Sequence, residues 1–502
     1  MAEKFNTYNI ARAFFVIIIL YLLFVRVGLI FSYSVDLDGA EFGFVHYAQL
    51  LLQGNPLYGN PNEVPFLPVL FTPAYPYLLS FLILLFKYSY VNDIHDILVM
   101  GRTLSLLCMF VNAYFVYKLF QQFKLPSFYF LAGITIYLLL ITGHFYACRP
   151  DALRTTIYTV FLYTVIRYCF YEGKIKYLGL SVFLALLAVY IKQDAIVQIF
   201  LLLFLLCLYL RNRKAYYLIS FFAFSILISM VCCHFIFGEY FFTNILLFNF
   251  QVITEVKNSI HVLLVIFSIL RISPLLILCA YGFYFAVKNI HNKTPQSFIA
   301  IVTVVCAVVT HIGMTKAGSN LNNAYDVILL VILAAAIALH KQENVITKHI
   351  KIFSGVILIY ISILFVSNTL IHTYSYNGGK EEKFKEEYFA TLEERKSVLG
   401  VTKNEIFFLL NAKHIIFYAD APIICGYDFY LYRMVELALN LKMKSKLLFV
   451  SSDVYDSYFT SGKVKYIVAE NNERNKNNVS KYYPDYIPYK TVEHFVIYKF
   501  SE

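Results

Sequence analysis

Three carboxylates, Asp36, Asp38 and Glu41, stand close together where the first hydrophobic run of the chain ends, in the segment VDLDGAE. Acids at a membrane exit are costly unless hydrated or paired. They therefore belong either to a wet loop or to a chemical site, where an ionised carboxylate can take a proton from an acceptor hydroxyl. More acids and bases recur in later connectors. His46 follows in the same loop, and Arg102 opens the helix GRTLSLL. His144, Arg149, Asp151 and Arg154 share GHFYACRPDALR, and Lys192 and Asp194 share YIKQDAIV. His311, Lys316, Asn320, Asn322, Asn323, Tyr325 and Asp326 lie in HIGMTKAGSNLNNAYD. Arg holds a phosphate as a bidentate fork and Lys as a point charge. A carboxylate base combined with cations for a phosphate leaving group fits glycosyl transfer from a lipid-linked phosphosugar. The lipid chain of such a donor lies in the bilayer while its sugar reaches the water.

Each piece also has a plainer reading. Asp36 and Asp38 read equally well as solvated loop acids. Arg149 and Asp151 form a helix-end pair if Asp151 is the N-cap of the helix that follows. Lys192 can snorkel to headgroups. His46, His144 and His311 fit packed or interfacial positions better than metal ligation, and Asp420 and Asp428 fit loops or caps. No single residue is specific; the recurrence of acid with base in turn after turn is what favours a site.

The elements that must position these residues are membrane helices. The chain of 502 residues is 60% hydrophobic, 18% aromatic and only 15% charged, and its apolar residues come in long blocks such as ARAFFVIIILYLLFVRVGLIF and AIVQIFLLLFLLCLYL. A bilayer core of ~30 Å takes about 20 apolar residues in a helix, and only helices or closed barrels satisfy the backbone there. The blocks predict a polytopic α-helical membrane protein of about 11 spans, at 13–33, 97–119, 126–145, 151–170, 177–191, 195–210, 215–236, 260–287, 296–313, 324–340 and 351–371. The first run lacks a small-residue cleavage site and reads as an uncleaved span. The net charge of +11 is no nucleic-acid signal, because the basic residues gather in short connectors, as the positive-inside rule expects. Nine cysteines show no paired framework and no metal-type spacing.

If the Lys- and Arg-bearing connectors face the cytoplasm, every acid-and-base connector named above faces out, together with the chain beyond residue 372. That sidedness holds only if TPAYPYLLSFLILLFKYSY, 72–90, does not span. The first outer loop is then expected to hold two non-spanning helices, about 39–53 and 74–88. The predicted organisation is a transmembrane domain, 1–372, and a small extracytoplasmic α/β domain, 373–502. In the latter HIIFYAD, KLLFVSS, KVKYIVAE and HFVIYKF read as strands, LYRMVELALNLK as a helix and NNERNKNNVSKYYPDY as a polar loop.

The order of these motifs resembles the GT-C superfamily of integral membrane glycosyltransferases, in particular the branch of protein O-mannosyltransferases and aminoarabinose transferases of lipid A. An acidic motif follows the first span, and LLQGNPLY, FTPAYPYLLSFL and GRTLSLL come next. Turns at Arg149–Asp151 and Lys192–Gln193 and the segment KAGSNLNNAYD follow in order, so the resemblance covers residues 10–345. It implies a GT-C fold with two juxtamembrane helices in the first outer loop. It also implies a polyprenyl-phosphate sugar donor, a glycan, lipid or protein acceptor, and inversion at the anomeric carbon. By the same resemblance Asp38 or Asp36 is the base with Glu41 in support, and Asp151 helps position sugar or acceptor. Arg102, Arg149, Lys192 and Lys316 become candidates for the donor phosphate. Many members carry adjacent Asp-Glu where this chain spreads its acids as DLDGAE, which leaves the choice of base open. Some branches use a divalent metal and others none. The implied setting is the bacterial inner membrane, in cell-envelope glycan synthesis, with the site facing outside. A transporter or flippase of lipid-linked glycans without transferase activity is the alternative. It is disfavoured by the lack of an internal repeat and by charges gathered at one face rather than mid-bilayer.

Overall fold

The structure is a computed structural model. It describes residues 2–34, 37, 41–60, 63–64, 69, 71–86, 94–141, 145–247, 259–288, 290–314, 321–341, 356, 359–366, 381–410, 415–418, 421–424 and 452–501. In chain order the helices are α1 (Ala2–Ile30), α2 (Glu41–Leu52), α3 (Ala74–Phe86), α4 (Ile94–Gln122), α5 (Ser127–Leu140), α6 (Pro150–Ile166), α7 (Ile175–Ile191), α8 (Ala195–Leu210) and α9 (Arg213–Phe237). They continue with α10 (Ser259–Lys288), α11 (Pro295–Gly313), α12 (Tyr325–Lys341), α13 (Glu381–Thr402), α14 (Ser452–Thr460) and α15 (Glu473–Tyr482). Each expected span from 13–33 to 324–340 overlaps one of α1 and α4–α12. The last, 351–371, lies largely outside the described residues. Among the described residues, five stretches are long and apolar enough to cross a bilayer: Asn9–Ile30, Ile94–Gln122, Arg213–Phe237, Ser268–Lys288 and Pro295–Gly313.

The chain divides into two units. The first comprises residues 1–31, 101–229 and 256–378. Its central helix is α12, buried on every side from Tyr325 to Ala338, as expected of a helix that is apolar all round. Small residues allow close approach here: a Cβ on Gly282 of α10 would lie 3.3 Å from that of Ala338. In contrast, Ile17, Leu20 and Phe24 of α1 and Phe224 and Leu227 of α9 are exposed, the surface that lipid covers. Polar side chains tie the helices inside. Thr156 Oγ1 donates to the Cys108 carbonyl at 2.9 Å, and Asn112 Nδ2 to Thr159 Oγ1 at 3.0 Å, linking α4 to α6. Arg26 of α1 donates to the Leu138 carbonyl at 3.0 Å and to Met109 Sδ.

The second unit comprises residues 32–100, 230–255 and 379–502. The outer-loop helices are found at α2 and α3, close to the expected 39–53 and 74–88. They pack through Phe44, edge-on to Tyr75 at 5.4 Å, and through Ser80 Oγ, which donates to the Ala48 carbonyl at 3.1 Å. The expected boundary at 372/373 falls outside the described residues.

The C-terminal part of this unit is α/β, as expected, with strands β1 (Phe407–Leu409), β2 (Tyr466–Glu470), β3 (Tyr486–Val492) and β4 (Phe495–Phe500) in the order β1-β2-β4-β3. β1 runs parallel to β2, and the other pairs are antiparallel. KVKYIVAE and HFVIYKF are strands as expected. Residues 415–418 of HIIFYAD form a 3-10 turn instead. KLLFVSS (all but its last residue) and LYRMVELALNLK lie outside the described residues. The expected polar loop contains α15, because Asn472 caps it by accepting the Asn475 N–H at 2.8 Å. β3 escaped the sequence reading because Pro488 sits inside it, at a register shift, where proline is tolerated. Glu394 of α13 accepts from His494 beside β4 and holds that imidazole above its ordinary value.

Candidate functional site

The first unit brings the Arg149, Lys192 and Asp326 connectors into one ionic network. α6 begins with Pro150 at its first position, where the missing N–H costs nothing. That places Arg149, extended at φ −143°, as the N-cap and Asp151 inside the first turn. Asp151 is therefore not the N-cap, and neither Arg149 nor Asp194, which precedes α8, makes a side-chain cap bond. Asp151 and Asp194 both go to cations instead. Asp151 Oδ2 accepts from Arg149 Nε at 3.1 Å and Oδ1 from Lys192 Nζ at 2.8 Å. Lys192 ends α7 and also reaches Asn323 Oδ1 at 3.4 Å and Asp194 Oδ2 at 3.5 Å. Arg154, one turn into α6, bridges Asp194 and Asp326, each at 3.3 Å.

Burial grades along the network. Asp151, Arg154 and Asp326 side chains are at most 1% exposed, Arg149 and Lys192 are about 10% exposed, and Asp194 is 33% exposed. Lys192 thus does not snorkel to headgroups. Three cations and three carboxylates leave the cluster formally neutral, which is how buried charges persist in a low-dielectric interior. The turn itself is seated on α4. Ser105 Oγ donates to the Ala147 carbonyl at 2.7 Å, and a Cβ on Gly101 would lie 2.1 Å from Cys148 Sγ. Arg102, fully buried, follows that glycine on α4.

The other expected residues distribute as follows. In the second unit Glu41 is fully buried at the start of α2, and its carboxylate accepts the Leu37 N–H at 2.9 Å. It therefore holds the acidic loop from its C-terminal side. Asp36, Asp38, Lys316 and His144 lie outside the described residues. His311 is a satisfied core histidine: Nδ1 donates to the Ala307 carbonyl at 2.7 Å, so Nε2 accepts from Ser268 Oγ at 3.2 Å. Among the described residues no group of three or more His, Cys, Asp or Glu is placed to hold a metal. In the sequence Arg154, Asp194 and Asp326 stand only as members of charged connectors. Their signal was there all the same: Arg154 lies three residues after Asp151, on the same face of α6.

No family model and no curated protein matches the chain. Solved structures do. The chain is similar to ArnT from Cupriavidus metallidurans bound to undecaprenyl phosphate, with a TM-score of 0.57 at 10% identity over 97% of this chain and 98% of that one. The apo state of the same protein matches with a TM-score of 0.53 at 12% identity, over 97% of each chain. The chain has the GT-C fold. The match extends over nearly the whole length of both chains. Together with the apolar helices it makes the chain an integral membrane protein.

Proposed function

We propose that this protein transfers a sugar, a hexose or a pentose, from a polyprenyl-phosphate carrier to the hydroxyl of a glycan, lipid or protein acceptor, with inversion. The observation that carries the reading is the network of Arg149, Asp151 and Lys192, closed from separate connectors within the fold of a protein bound to undecaprenyl phosphate. Charge gathered at helix ends in a membrane bundle is expensive and marks function. Arg149, with Lys192 beside it, offers the donor phosphate a cationic end. Asp151 keeps both cations in place until the phosphate competes for them. Arg102 and Lys316 are further phosphate candidates. Asp38 or Asp36 serves as the base with Glu41 in support, and the acceptor oxygen attacks the anomeric carbon as the phosphate leaves. The site and the C-terminal part face the outside of the inner membrane.

The test is transfer of labelled sugar in membranes supplied with a panel of polyprenyl-phosphate sugars. Arg149→Ala and Lys192→Met are expected to lower transfer on the order of a hundredfold, as loss of phosphate-stabilising groups does. The same scale is expected for whichever of Asp36→Asn and Asp38→Asn removes the base. Full activity in both Asn variants and in Glu41→Gln would remove the base assignment. Undiminished transfer by Arg149→Ala and Lys192→Met would remove the phosphate assignment.

A further inference from the structure

The acidic segment VDLDGAE has no regular helix or strand on its N-terminal side to hold it, because α1 ends at Ile30. What holds that side comes from far along the chain. Glu381, the first residue of α13, accepts from Ser32 Oγ at 2.8 Å with one carboxylate oxygen and from the Tyr33 backbone N–H with the other. The Tyr33 ring is gripped as well. It stacks on His95, at the start of α4, with centroids 3.9 Å apart and planes 7° from parallel. It also meets Tyr388 edge-on at 5.7 Å and Phe389 at 5.9 Å, while Lys385 Nζ lies 5.6 Å from its centre. Glu381, Lys385, Tyr388 and Phe389 recur at the spacing of one helix face. Tyr388 adds a link of its own by accepting the His95 backbone N–H at 3.2 Å. One face of α13 is therefore devoted to Ser32, Tyr33 and His95.

On the other side, Glu41 accepts the Leu37 N–H. The chain between Tyr33 and Leu37 is thus tied at both ends by a carboxylate that takes a backbone N–H, and Asp36 lies in that interval of the sequence. A carboxylate hydrogen bond to backbone N–H is charge-assisted and about twice as strong as a neutral one. We propose that Glu381 is a positioning residue for the acidic segment, so that α13, and with it the C-terminal part of the chain, sets the placement of the base. This inference rests on the proposed role of Asp36 or Asp38. It gives the C-terminal part a task in the reaction itself rather than in membrane anchoring or partner binding.

The experiment uses the full chain in detergent micelles and combines amide hydrogen exchange with turnover. Exchange is read on a peptide covering 32–41, with a peptide covering 486–500 as the control for folding. Turnover uses the polyprenyl-phosphate sugar that the wild-type chain accepts. Glu381→Ala is expected to speed exchange of the 32–41 peptide about tenfold, the scale of one lost hydrogen bond to a charged group, and to leave 486–500 unchanged. It lowers kcat by a similar factor and leaves KM for the donor within about twofold, since donor binding is not what it governs. Glu381→Gln, which keeps one acceptor oxygen, falls between. Unaltered exchange at 32–41 in Glu381→Ala overturns the proposal, and so does faster exchange with unaltered kcat. The base assignment is judged separately: Asp36→Asn and Asp38→Asn should lower kcat with no change in exchange. If both keep full turnover, that assignment fails while the exchange result still decides the role of Glu381.

Discussion

At the scale of single residues, Arg154 and Asp326 are the most deeply placed members of the ionic network, 1% and 0% exposed. Removing one partner of such a pair leaves the other charge buried, which typically costs about 3–5 kcal/mol, whereas replacing both by apolar groups of similar volume is often neutral. Asp326→Leu should accordingly lower the thermal unfolding midpoint strongly, because Arg154 then loses its fully buried carboxylate partner. Arg154→Met combined with Asp326→Leu should recover most of the loss. A double variant no better than the single one would show that the pair is not an isolated ionic unit. The sequence announced these residues by type and by connector, but not their partners. Which carboxylate meets which cation depends on how the ends of α6, α7 and α12 are brought together, and residue spacing within one helix cannot convey that. The plainer readings of Asp151 as an N-cap and of Lys192 as a snorkelling side chain fail for the same reason, since both presume a helix end considered alone.

At the scale of elements, the position of the Arg149 turn is set by its contact with α4. Gly101 has no side chain where a Cβ would lie 2.1 Å from Cys148 Sγ and 2.8 Å from its Cβ, and the turn is already bonded to Ser105. Gly101→Ala must push the turn away, an overpacking that costs about 1–3 kcal/mol. Because Arg149 and Asp151 ride on that turn, transfer should fall together with the melting temperature. Cys148→Ala removes only the sulfur, so it is expected to restore part of both in the Gly101→Ala background, a coupling that a double-mutant cycle reads directly. Strictly additive effects would mean that the contact does not set the turn. In GRTLSLL the arginine drew attention as a phosphate candidate, while the glycine one residue earlier gave no sign of its packing role. The strands were legible where they are buried and apolar, as in KVKYIVAE and HFVIYKF. They were illegible where an edge strand carries proline and exposed polar residues, as β3 does, and where a capping asparagine turns a polar run into α15.

For the molecule as a whole, sidedness depends on one helix. α3 is 13 residues long. At 1.5 Å per residue that is about 20 Å, well short of the ~30 Å hydrocarbon core. Its composition would allow a span, since AYPYLLSFLILLF contains no charge, and length does not separate it from α5, which is read as a span at 14 residues; what sets α3 apart is the division of its faces. Tyr77, Phe81, Leu84 and Leu85 are exposed along one side while Tyr75, Leu79 and Ile83 are buried on the other. That is the arrangement of a helix lying in an interface with its apolar face to lipid. If α3 does not cross, the loop carrying Asp36, Asp38 and Glu41 and the segment just before α4 lie on the same side. The connectors that carry Lys118 and Lys124, Lys174 and Lys176, Arg211 to Lys214, Lys288 and Lys293, and Lys341 to Lys351 then fall in the cytoplasm, as the positive-inside rule expects. A single cysteine placed at Asn92, in a background without reactive native thiols, should react with a membrane-impermeant maleimide added to intact cells. A second placed at Lys124, in the connector between α4 and α5, should react only after the membrane is opened. The reverse pattern would put the acidic loop and the residue-92 segment on opposite sides of the bilayer and make α3 a true span. It would also move the charge network to the cytoplasmic face, where a sugar carried on an outward-facing lipid could not reach it.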